Sequence, residues 1–385
     1  MAQDKNNLFV GLGEEVDPIQ SYEAAKTSLS KHPQPWQVAH AVRLALRSMI
    51  SHGPPISQND ARCLLYSFRA VHSGFAWINE QTLKFEKIAR EAYRAADIST
   101  NLPDLSEDRA LSVYPCGNVA WAAGNDAKHG SSRTFEEALA VYSFENKHAD
   151  RRYLVESYFF DNTSSQVFDE ASSIFFVELN DPSTLSESVI RAENSFVNML
   201  TNDGRDWSFW REWYQSFLKG KPLDWELQRR VALVDNAIWE AGPQATAEEI
   251  EKICAKYRLE TRIEELEAEL RDANGDRHGI GGNMPPEMLD DASIRQELII
   301  VWQPLEDLKQ EIANEAHDAT RLRKIIDALV TALKQGFAWC LKKGNLIVDT
   351  AIKWAIPAGG TGYLTLNPDK LEAVIEAAKR LLNAL

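Results

Sequence analysis

Two glycine-rich segments are the first places in this sequence where phosphate-binding chemistry could reside. Segment 279–284 (GIGGNM) begins like the fingerprint of a dinucleotide-binding loop, but Met284 stands where the third glycine should be. It also follows a charged helical pattern, whereas the fingerprint follows a strand. Segment 357–363 has three glycines but lacks the Gly-Lys-Ser/Thr ending of a P-loop. Both segments are therefore interpreted as turns.

A histidine paired with a carboxylate at helical spacing could bind a metal. Glu145 and His148 form one E-x-x-H pattern, whereas a di-metal site in a helical bundle needs this pattern on two helices. The nearest second copy, Asn314 and His317, has an amide in place of the ligand carboxylate. Neither H-E-x-x-H nor G-x-S-x-G occurs in the sequence. We therefore expect no metal site, no cofactor and no catalytic residue within a known motif.

Carboxylates and cysteines elsewhere are also interpreted as structural. Three carboxylates on one helix face could support acid–base chemistry, but a solvated charged face is the commoner arrangement for Glu311, Glu315 and Asp318. The four cysteines are far apart and show no C-x-x-C pairing, which speaks against a zinc site and against a disulfide framework. We expect buried thiols in a reducing cytoplasm at Cys63, Cys116, Cys254 and Cys340.

The composition is typical of a globular protein that binds no nucleic acid. Of 385 residues, 44% are hydrophobic and 26% are charged, which suffices for a buried core. The net charge is −15, whereas a phosphate backbone needs a basic face. The charge is uneven, since residues 318–385 contain ten Lys/Arg and six Asp/Glu, so this segment is at +4 and the remainder at −19. The sequence shows no signal-peptide pattern and no run of 18 apolar residues, so we expect a cytoplasmic location.

Hydrophobic periodicity predicts a mainly α fold. Val38, Val42 and Met49 belong to an apolar stripe with helical spacing, and similar stripes recur along the chain. A capping-box pattern that starts at Thr246 opens a long charged helix, which we expect to reach about Asp272. Segment 151–179 contains residues of high strand propensity, but no hairpin turn joins them. Helices are therefore favoured there too.

Turn-forming residues divide the chain into parts. Segment 274–286 holds four glycines and two prolines in thirteen residues, a density that no helix survives. The sequence therefore predicts a flexible N-terminal arm (1–35), an N-terminal helical domain (36–200), a Trp-rich helical segment with the long charged helix (201–273), a linker (274–293) and a C-terminal amphipathic helical block (294–385).

Aromatic residues concentrate on one predicted helix face after position 206. An aromatic face can stack on bases, bind cations or anchor a protein partner. The surrounding charges are balanced, which does not favour a nucleic acid. Packing within the core or between helices is the alternative interpretation. The candidates for partner binding are Trp207, Trp210, Trp213, Tyr214 and Phe217.

The aromatic segment resembles a Trp-rich helical segment of uncharacterised proteobacterial proteins. Residues 206–214 (DWSFWREWY), followed by Trp225, Trp239 and Gly242, carry the resemblance. A linker similar to 277–287 (RHGIGGNMPPE) often follows in those proteins, so the resemblance covers about residues 192–287. It implies a bacterial origin and a modular layout in which the last block varies with function. It brings no activity and no catalytic residue.

The C-terminal block has features of a membrane-active segment. Two amphipathic stretches, 325–341 and 346–356, form a hairpin-like pair in which lysines lie beside apolar residues. Charges interrupt each candidate span, and a charge at mid-bilayer costs about 2.5–3.5 kcal/mol, so insertion would have to be triggered, oligomeric or interfacial. The candidates for membrane contact are Phe337, Trp339, Lys342, Lys343 and Trp354.

Three functions stay open from the sequence. The favoured one is a non-enzymatic helical scaffold or interaction protein that binds a protein partner or self-associates. The first alternative is a two-part effector, toxin-like or defence-like, whose C-terminal amphipathic hairpin (about 322–362) acts on membranes when triggered. The second alternative is an enzyme whose site is assembled from distant residues without a motif.

Overall fold

The computed structural model describes residues 24–25, 27–52, 55, 57–103, 105, 107–125, 133–134, 161, 169–180, 185–275, 304–314, 318–343, 354–358, 362–366 and 368–385. Side chains are described in these ranges except at 107–111, 267, 269–275, 335–343, 354–358, 362–366 and 368. Residues 1–23 and 26 of the predicted N-terminal arm and the residues after 275 in the predicted linker lie outside the described residues. The flexible arm is corrected for its last third, because residues 24–25 and 27–29 are helical and bury Ala25 and Leu29.

The described residues form a mainly α structure, which confirms the fold class that the periodicity predicts. Two compact units divide the chain, Met1–Glu249 and Ile250–Leu385. The helices that begin in the first unit are α1 (Gln34–Ser48), α2 (Gln58–Asn79), α3 (Leu83–Ser99), α4 (Glu107–Gly124), α5 (Glu187–Asn202), α6 (Ser208–Leu218), α7 (Trp225–Ala232), α8 (Asn236–Ala241) and α9 (Pro243–Gly275).

Helix α2 lies at the centre of the N-terminal unit. It contacts α1, α3, α4 and α7, and nearly all of its side chains from Asp60 to Ile78 are buried. Burial on every side is typical of a helix inside a helical core. A capping box fixes its start: Ser57 Oγ accepts the Asp60 N–H at 3.0 Å, and the Asp60 carboxylate accepts the Ser57 N–H at 3.0 Å.

Segment 169–180 departs from the regular helix that the sequence favours. It contains a short 3₁₀ helix, Ala171–Phe176, after which the Leu179 N–H donates to the Phe217 carbonyl at 3.0 Å. Gly220, in the turn after α6, has a φ of +58°, and a Cβ there would lie 2.7 Å from the Glu178 nitrogen. The segment thus packs backbone to backbone on this turn, which a regular helix at 171–179 would not do. The strand-like run 158–160 lies outside the described residues.

Four helices share the core of the C-terminal unit. They are the part of α9 after Glu249, α10 (304–313), α11 (Ala319–Lys343) and α12 (Pro368–Ala384). Buried positions recur at helical spacing, as at Leu322, Ile325 and Leu329 of α11. The predicted amphipathic pattern therefore faces this core in the part of α11 whose side chains are described.

The two units meet in sequence within α9 and not in the glycine-rich segment where the sequence predicts the boundary. Leu259, Ile263 and Leu266 share a core with α10, α11 and α12, so the second part of the charged helix belongs to the C-terminal unit. Helix α9 begins at Pro243, three residues before the predicted capping box. The Thr246 hydroxyl instead donates to the Ile238 carbonyl at 3.2 Å.

A β-hairpin follows α11, where the sequence predicts the second half of an amphipathic helical hairpin. Strand β1 (Trp354–Ala358) pairs antiparallel with β2 (Gly362–Leu366), and Trp354 lies opposite Leu366. The predicted amphipathic hairpin over about 322–362 is corrected at 354–358, which is a strand, whereas residues 344–353 lie outside the described residues. Glycines at 359, 360 and 362 favour chain reversal, which lets the flanking residues pair as strands. Among the described residues, no helix is long and apolar enough to cross a membrane.

Candidate functional site

Two arginines of α1 hold a buried aspartate between them. Arg43 and Arg47 lie one helical turn apart on the same face of α1. Arg43 Nε donates to Asp161 Oδ1 at 2.8 Å, while Arg47 Nη1 and Nη2 donate to Oδ2 and Oδ1 at 2.6 and 2.8 Å. The side chains of all three residues are at most 1% exposed. Together with Asn180, these residues are called the arginine network below.

Backbone carbonyls take the remaining donors of Arg43. Its Nη1 donates to the carbonyls of Ile174 and Val177, both at 3.0 Å, and its Nη2 to those of Glu178 and Leu179 at 2.6 and 3.0 Å. With Nε on the aspartate, all five N–H groups of this guanidinium have an acceptor. Arg43 therefore has no N–H group left to bind a substrate. Its hydrogen bonds to backbone carbonyls instead fix segment 174–179 against α1.

The network continues from Arg47 to α5. Arg47 Nε donates to Asn180 Oδ1 at 3.3 Å, and Arg47 Nη2 also donates to the Leu179 carbonyl. Asn180 Nδ2 donates in turn to the Glu193 carboxylate. Burial raises the pKa of Glu193 to about 7, although the charge of Arg47 and the hydrogen bond from Asn180 act in the opposite direction.

Asp161 and His40 each keep a single protonation state at neutral pH. Burial alone would raise the pKa of Asp161, but the charges of Arg43 and Arg47 outweigh it and hold that pKa below 3.8. Burial lowers the pKa of His40, on the same helix, to about 3, although Asp161 acts in the opposite direction. The aspartate is therefore ionised and the imidazole neutral, so neither group exchanges a proton near pH 7. The arrangement stabilises the fold and does not resemble an acid–base site.

The five aromatic residues predicted to bind a partner are buried in the core of the N-terminal unit. None is more than 2% exposed. Three of the rings pack near Phe68 of α2, whose centroid is 4.9 Å from that of Trp210 and 6.2 Å from those of Trp207 and Trp213. Tyr214 packs on Phe196 of α5 at 5.1 Å, and Phe217 packs on Phe75 of α2 at 5.3 Å. The partner-binding prediction is corrected, because α2 and α5 already cover these rings and core packing describes them. The residues are Trp207, Trp210, Trp213, Tyr214 and Phe217.

Polar atoms of this aromatic core are mostly satisfied from within. Trp213 Nε1 donates to Gln228 Oε1 and Trp207 Nε1 to Asp203 Oδ2, both at 2.8 Å. His72 lies edge-on to the ring of Trp210 at 5.7 Å, and burial lowers its pKa to about 3. Its Nε2 has no hydrogen-bond partner within the described part of the chain. A neutral imidazole so enclosed by aromatic rings serves packing and cannot take up a proton near pH 7.

A carboxylate predicted to be solvated proves to be buried. Glu311 of α10 is 1% exposed, so the prediction is corrected for this residue. One of its oxygens accepts the Asp318 backbone N–H at 2.7 Å, and the other lies 3.4 Å from Arg321 Nε. It thereby satisfies a backbone donor at the start of α11, where helical partners are missing. Asp318 is exposed as predicted, and Glu315 lies outside the described residues.

Several predicted residues cannot be compared with the structure. The side chains of the membrane-contact candidates Phe337, Trp339, Lys342, Lys343 and Trp354 lie outside the described ones, as do Glu145, His148, His317 and Cys340. Cys63, Cys116 and Cys254 are buried, which confirms the burial predicted for these three. In the described ranges, no group of three or more His, Cys, Asp or Glu side chains is placed to hold a metal ion.

The arginine network was not among the sites predicted from the sequence. The available signal was a pair of arginines four residues apart in a helix whose neighbouring positions are apolar, as at Val42, Leu44 and Leu46. Charged residues are normally interpreted as the solvent face, and the aspartate that pairs with them lies far away in the sequence.

Comparison with known proteins identifies no family for this chain. No family model, no curated protein and no solved structure matches the chain. The resemblance to proteobacterial Trp-rich proteins therefore stays a prediction.

Proposed function

We propose that this chain is a helical scaffold protein, which self-associates through charged outer faces of its C-terminal unit. The observation that carries this proposal is the burial of the α11 stripe. Leu322, Ile325, Ile326 and Leu329 are at most 6% exposed and pack in the core of their own unit. The apolar stripe of α11, which could have entered a bilayer, is thus buried within the protein over its described length. The charged outer faces of the unit remain for contact with other molecules.

Opposite charges on two helices of this unit support a second copy as the partner. Helix α11 contains six Lys/Arg and one Asp, and Arg323, Lys324 and Lys334 are exposed on it. Helix α9 contains nine Asp/Glu and five Lys/Arg, and it exposes Glu264 and Glu265. A basic helix of one copy can therefore face the acidic helix of another, which steers association and makes it sensitive to salt.

Sedimentation velocity of the full chain at low and high NaCl tests the proposal. We expect the wild type to form a dimer or larger oligomer that dissociates as salt screens the charges. Arg323→Glu combined with Lys324→Glu should give a monomer already at low salt. The matched control is Lys84→Glu combined with Lys87→Glu, which makes the same change of charge on exposed positions of α3 and should associate as the wild type does.

Two results would contradict this function. One is a wild-type chain that stays monomeric at low salt and high concentration. The other is equal dissociation of both double variants, which would trace association to net charge and not to α11.

A further inference from the structure

Arg69 of α2 is a buried cation with unused donors. The residue is 4% exposed, and its Cζ lies 5.0 Å from the ring centroid of Trp239. Its Nη2 donates to Asn236 Oδ1 at 2.8 Å. Its Nε and Nη1 are buried and have no hydrogen-bond partner among the described residues. The three N–H groups on Nε and Nη1 of this guanidinium therefore lack an acceptor.

A buried guanidinium without acceptors is unfavourable unless a ligand binds to its free N–H groups. An unpaired buried charge is costly, and each buried donor without an acceptor adds to that cost. The stacking on Trp239 offsets part of it by a cation–π interaction. Burial lowers the pKa of Arg69 to about 10, which still leaves the group charged at neutral pH. An anion at Nε and Nη1 would supply the missing acceptors and a negative charge in direct contact with the guanidinium.

Further groups around Arg69 suit an anion. Arg62, Tyr66 and Arg69 follow one face of α2 at spacings of four and three residues. Both arginines act electrostatically on the Tyr66 hydroxyl. Gly242, with a φ of +104°, is a neighbour of Arg62, since a Cβ built there would be in ordinary contact with Arg62 Nε at 3.5 Å. Two cations and a phenol thus lie together beside the end of α8.

One exposed carboxylate belongs to the same region and opposes an anion. Asn236 Nδ2 donates to Glu240 Oε1 at 2.5 Å, so the residue that holds Arg69 is itself held by Glu240. Glu240 and Glu91 favour the charged form of Arg69 through space, but neither is hydrogen-bonded to it. Because Glu240 is exposed, its side chain is the group that can turn away when an anion enters.

We propose that Arg69, with Arg62 and Tyr66, binds a single oxyanion, either a phosphate group or a carboxylate. The anion accepts hydrogen bonds from Nε and Nη1 of Arg69, and Arg62 and the Tyr66 hydroxyl complete the site. Arginine suits both anions because its N–H groups match their oxygen geometry. This site lies in the N-terminal unit and is independent of the proposed self-association.

Isothermal titration of the full chain tests the site with sodium phosphate and sodium acetate as separate probes, against sodium chloride of equal ionic strength. We expect one equivalent of phosphate, of acetate or of both to bind at millimolar concentrations, and the preferred probe identifies the class of ligand. Arg69→Met should weaken binding about tenfold or more, as expected for a charged hydrogen-bonded contact. Glu240→Gln should tighten binding several-fold, because it removes the competing charge.

The matched control is Arg191→Met, which removes an exposed arginine with the same change in net charge and should bind as the wild type does. If Arg69→Met does not fold, Arg62→Met and Glu240→Gln carry the test with opposite expected signs. The proposal is overturned if neither probe binds the wild type. It is also overturned if Glu240→Gln and the arginine variants bind no differently from Arg191→Met.

Discussion

The buried arginines Arg43 and Arg69 differ in how completely their N–H groups are hydrogen-bonded, and this difference decides their roles. Arg43 has an acceptor for each of its five N–H groups, including an ionised aspartate. Arg69 has one acceptor and an aromatic ring. A desolvated guanidinium is tolerable in the first setting and unfavourable in the second. The first residue is therefore part of the fold, and the second is a place where a ligand would stabilise the protein.

The arginine network predicts a large effect for a change of one atom. Asp161→Asn keeps the shape of the side chain but leaves Arg43 and Arg47 without a buried counter-charge. We expect the free energy of unfolding to fall by about 3–5 kcal/mol, the usual loss when one partner of a buried ion pair is removed. Urea unfolding at neutral pH measures this loss.

Glu187→Gln is the control for that experiment, because Glu187 pairs with Arg191 on the solvent face of α5. An exposed pair of this kind contributes little, so its removal should leave the unfolding midpoint nearly unchanged. A similar small effect for Asp161→Asn would show that the network does not hold the N-terminal unit together.

At the scale of helices, the distance between α2 and α4 is set by a residue without a side chain. A Cβ at Gly74 would lie 2.4 Å from Val119 Cγ1 and 3.3 Å from Val42 Cγ2. Either α4 must move or the valine must find another rotamer, and a close-packed core resists both. Gly117 of α4 differs, since a Cβ there would meet Ala96 Cβ at an ordinary 3.5 Å.

These two glycines give opposite predictions for the same substitution. Gly74→Ala should lower the free energy of unfolding by about 1–3 kcal/mol through overpacking. Gly117→Ala should raise it by up to about 1 kcal/mol, because alanine favours the helix. Thermal or urea unfolding measures both, and Val119→Ala should recover part of the loss in the Gly74→Ala background. Equal effects at the two positions would mean that α2 and α4 are not packed this closely.

The sequence predicted the helices better than it predicted the residues that pack against them. The spacing of Trp210, Trp213 and Phe217 correctly indicates one aromatic helix face, because periodicity is a local property. It could not identify Phe68 as the residue that covers this face, since that contact joins distant parts of the chain. The strands at Trp354–Ala358 and Gly362–Leu366 were missed because a short apolar run does not separate strand from helix. The Arg69 region was not predicted for two reasons. A charged residue on a predicted helix is normally interpreted as solvent-exposed, and the neighbours of Arg69 come from α8, which is distant in the sequence.

At the scale of the whole molecule, the groups with shifted pKa values among the described residues lie in one unit. His40, His72, Asp161 and Glu193 all belong to Met1–Glu249. The described residues of Ile250–Leu385 include no histidine. Stability should therefore respond to mild acid mainly in the first unit.

The sign of that response follows from the direction of each shift. His40 and His72 have a folded pKa of about 3 against 6.5 in the unfolded chain, so their contribution is fully present above pH 6.5 and is lost as the pH falls toward 3. Glu193 acts oppositely, because its folded pKa of about 7 exceeds the unfolded 4.5. Its contribution is present below pH 4.5 and is lost as the pH rises through 7.

Acid should thus destabilise the N-terminal unit, and Glu193 should moderate the effect. Near pH 5.5 two protons are gained on unfolding and one is lost, so we expect stability to fall by about 1 kcal/mol per pH unit. In Glu193→Gln the opposing group is absent, and the slope should rise to about 2 kcal/mol per pH unit. The same variant should be more stable than the wild type at pH 8, because it no longer buries a charged carboxylate, while its amide oxygen can still accept from Asn180.

Hydrogen exchange of the full chain, followed peptide by peptide between pH 7 and pH 5 after correction for intrinsic rates, separates the two units. Protection should decrease in α1 and α2, which carry the two histidines, and should hold in α11 and α12. Equal losses in both units would mean that their unfolding is coupled, whereas a slope that Glu193→Gln leaves unchanged would mean that this carboxylate is not desolvated. Only a burial-driven effect confined to the first unit predicts both results, because the described part of the C-terminal unit contains no histidine.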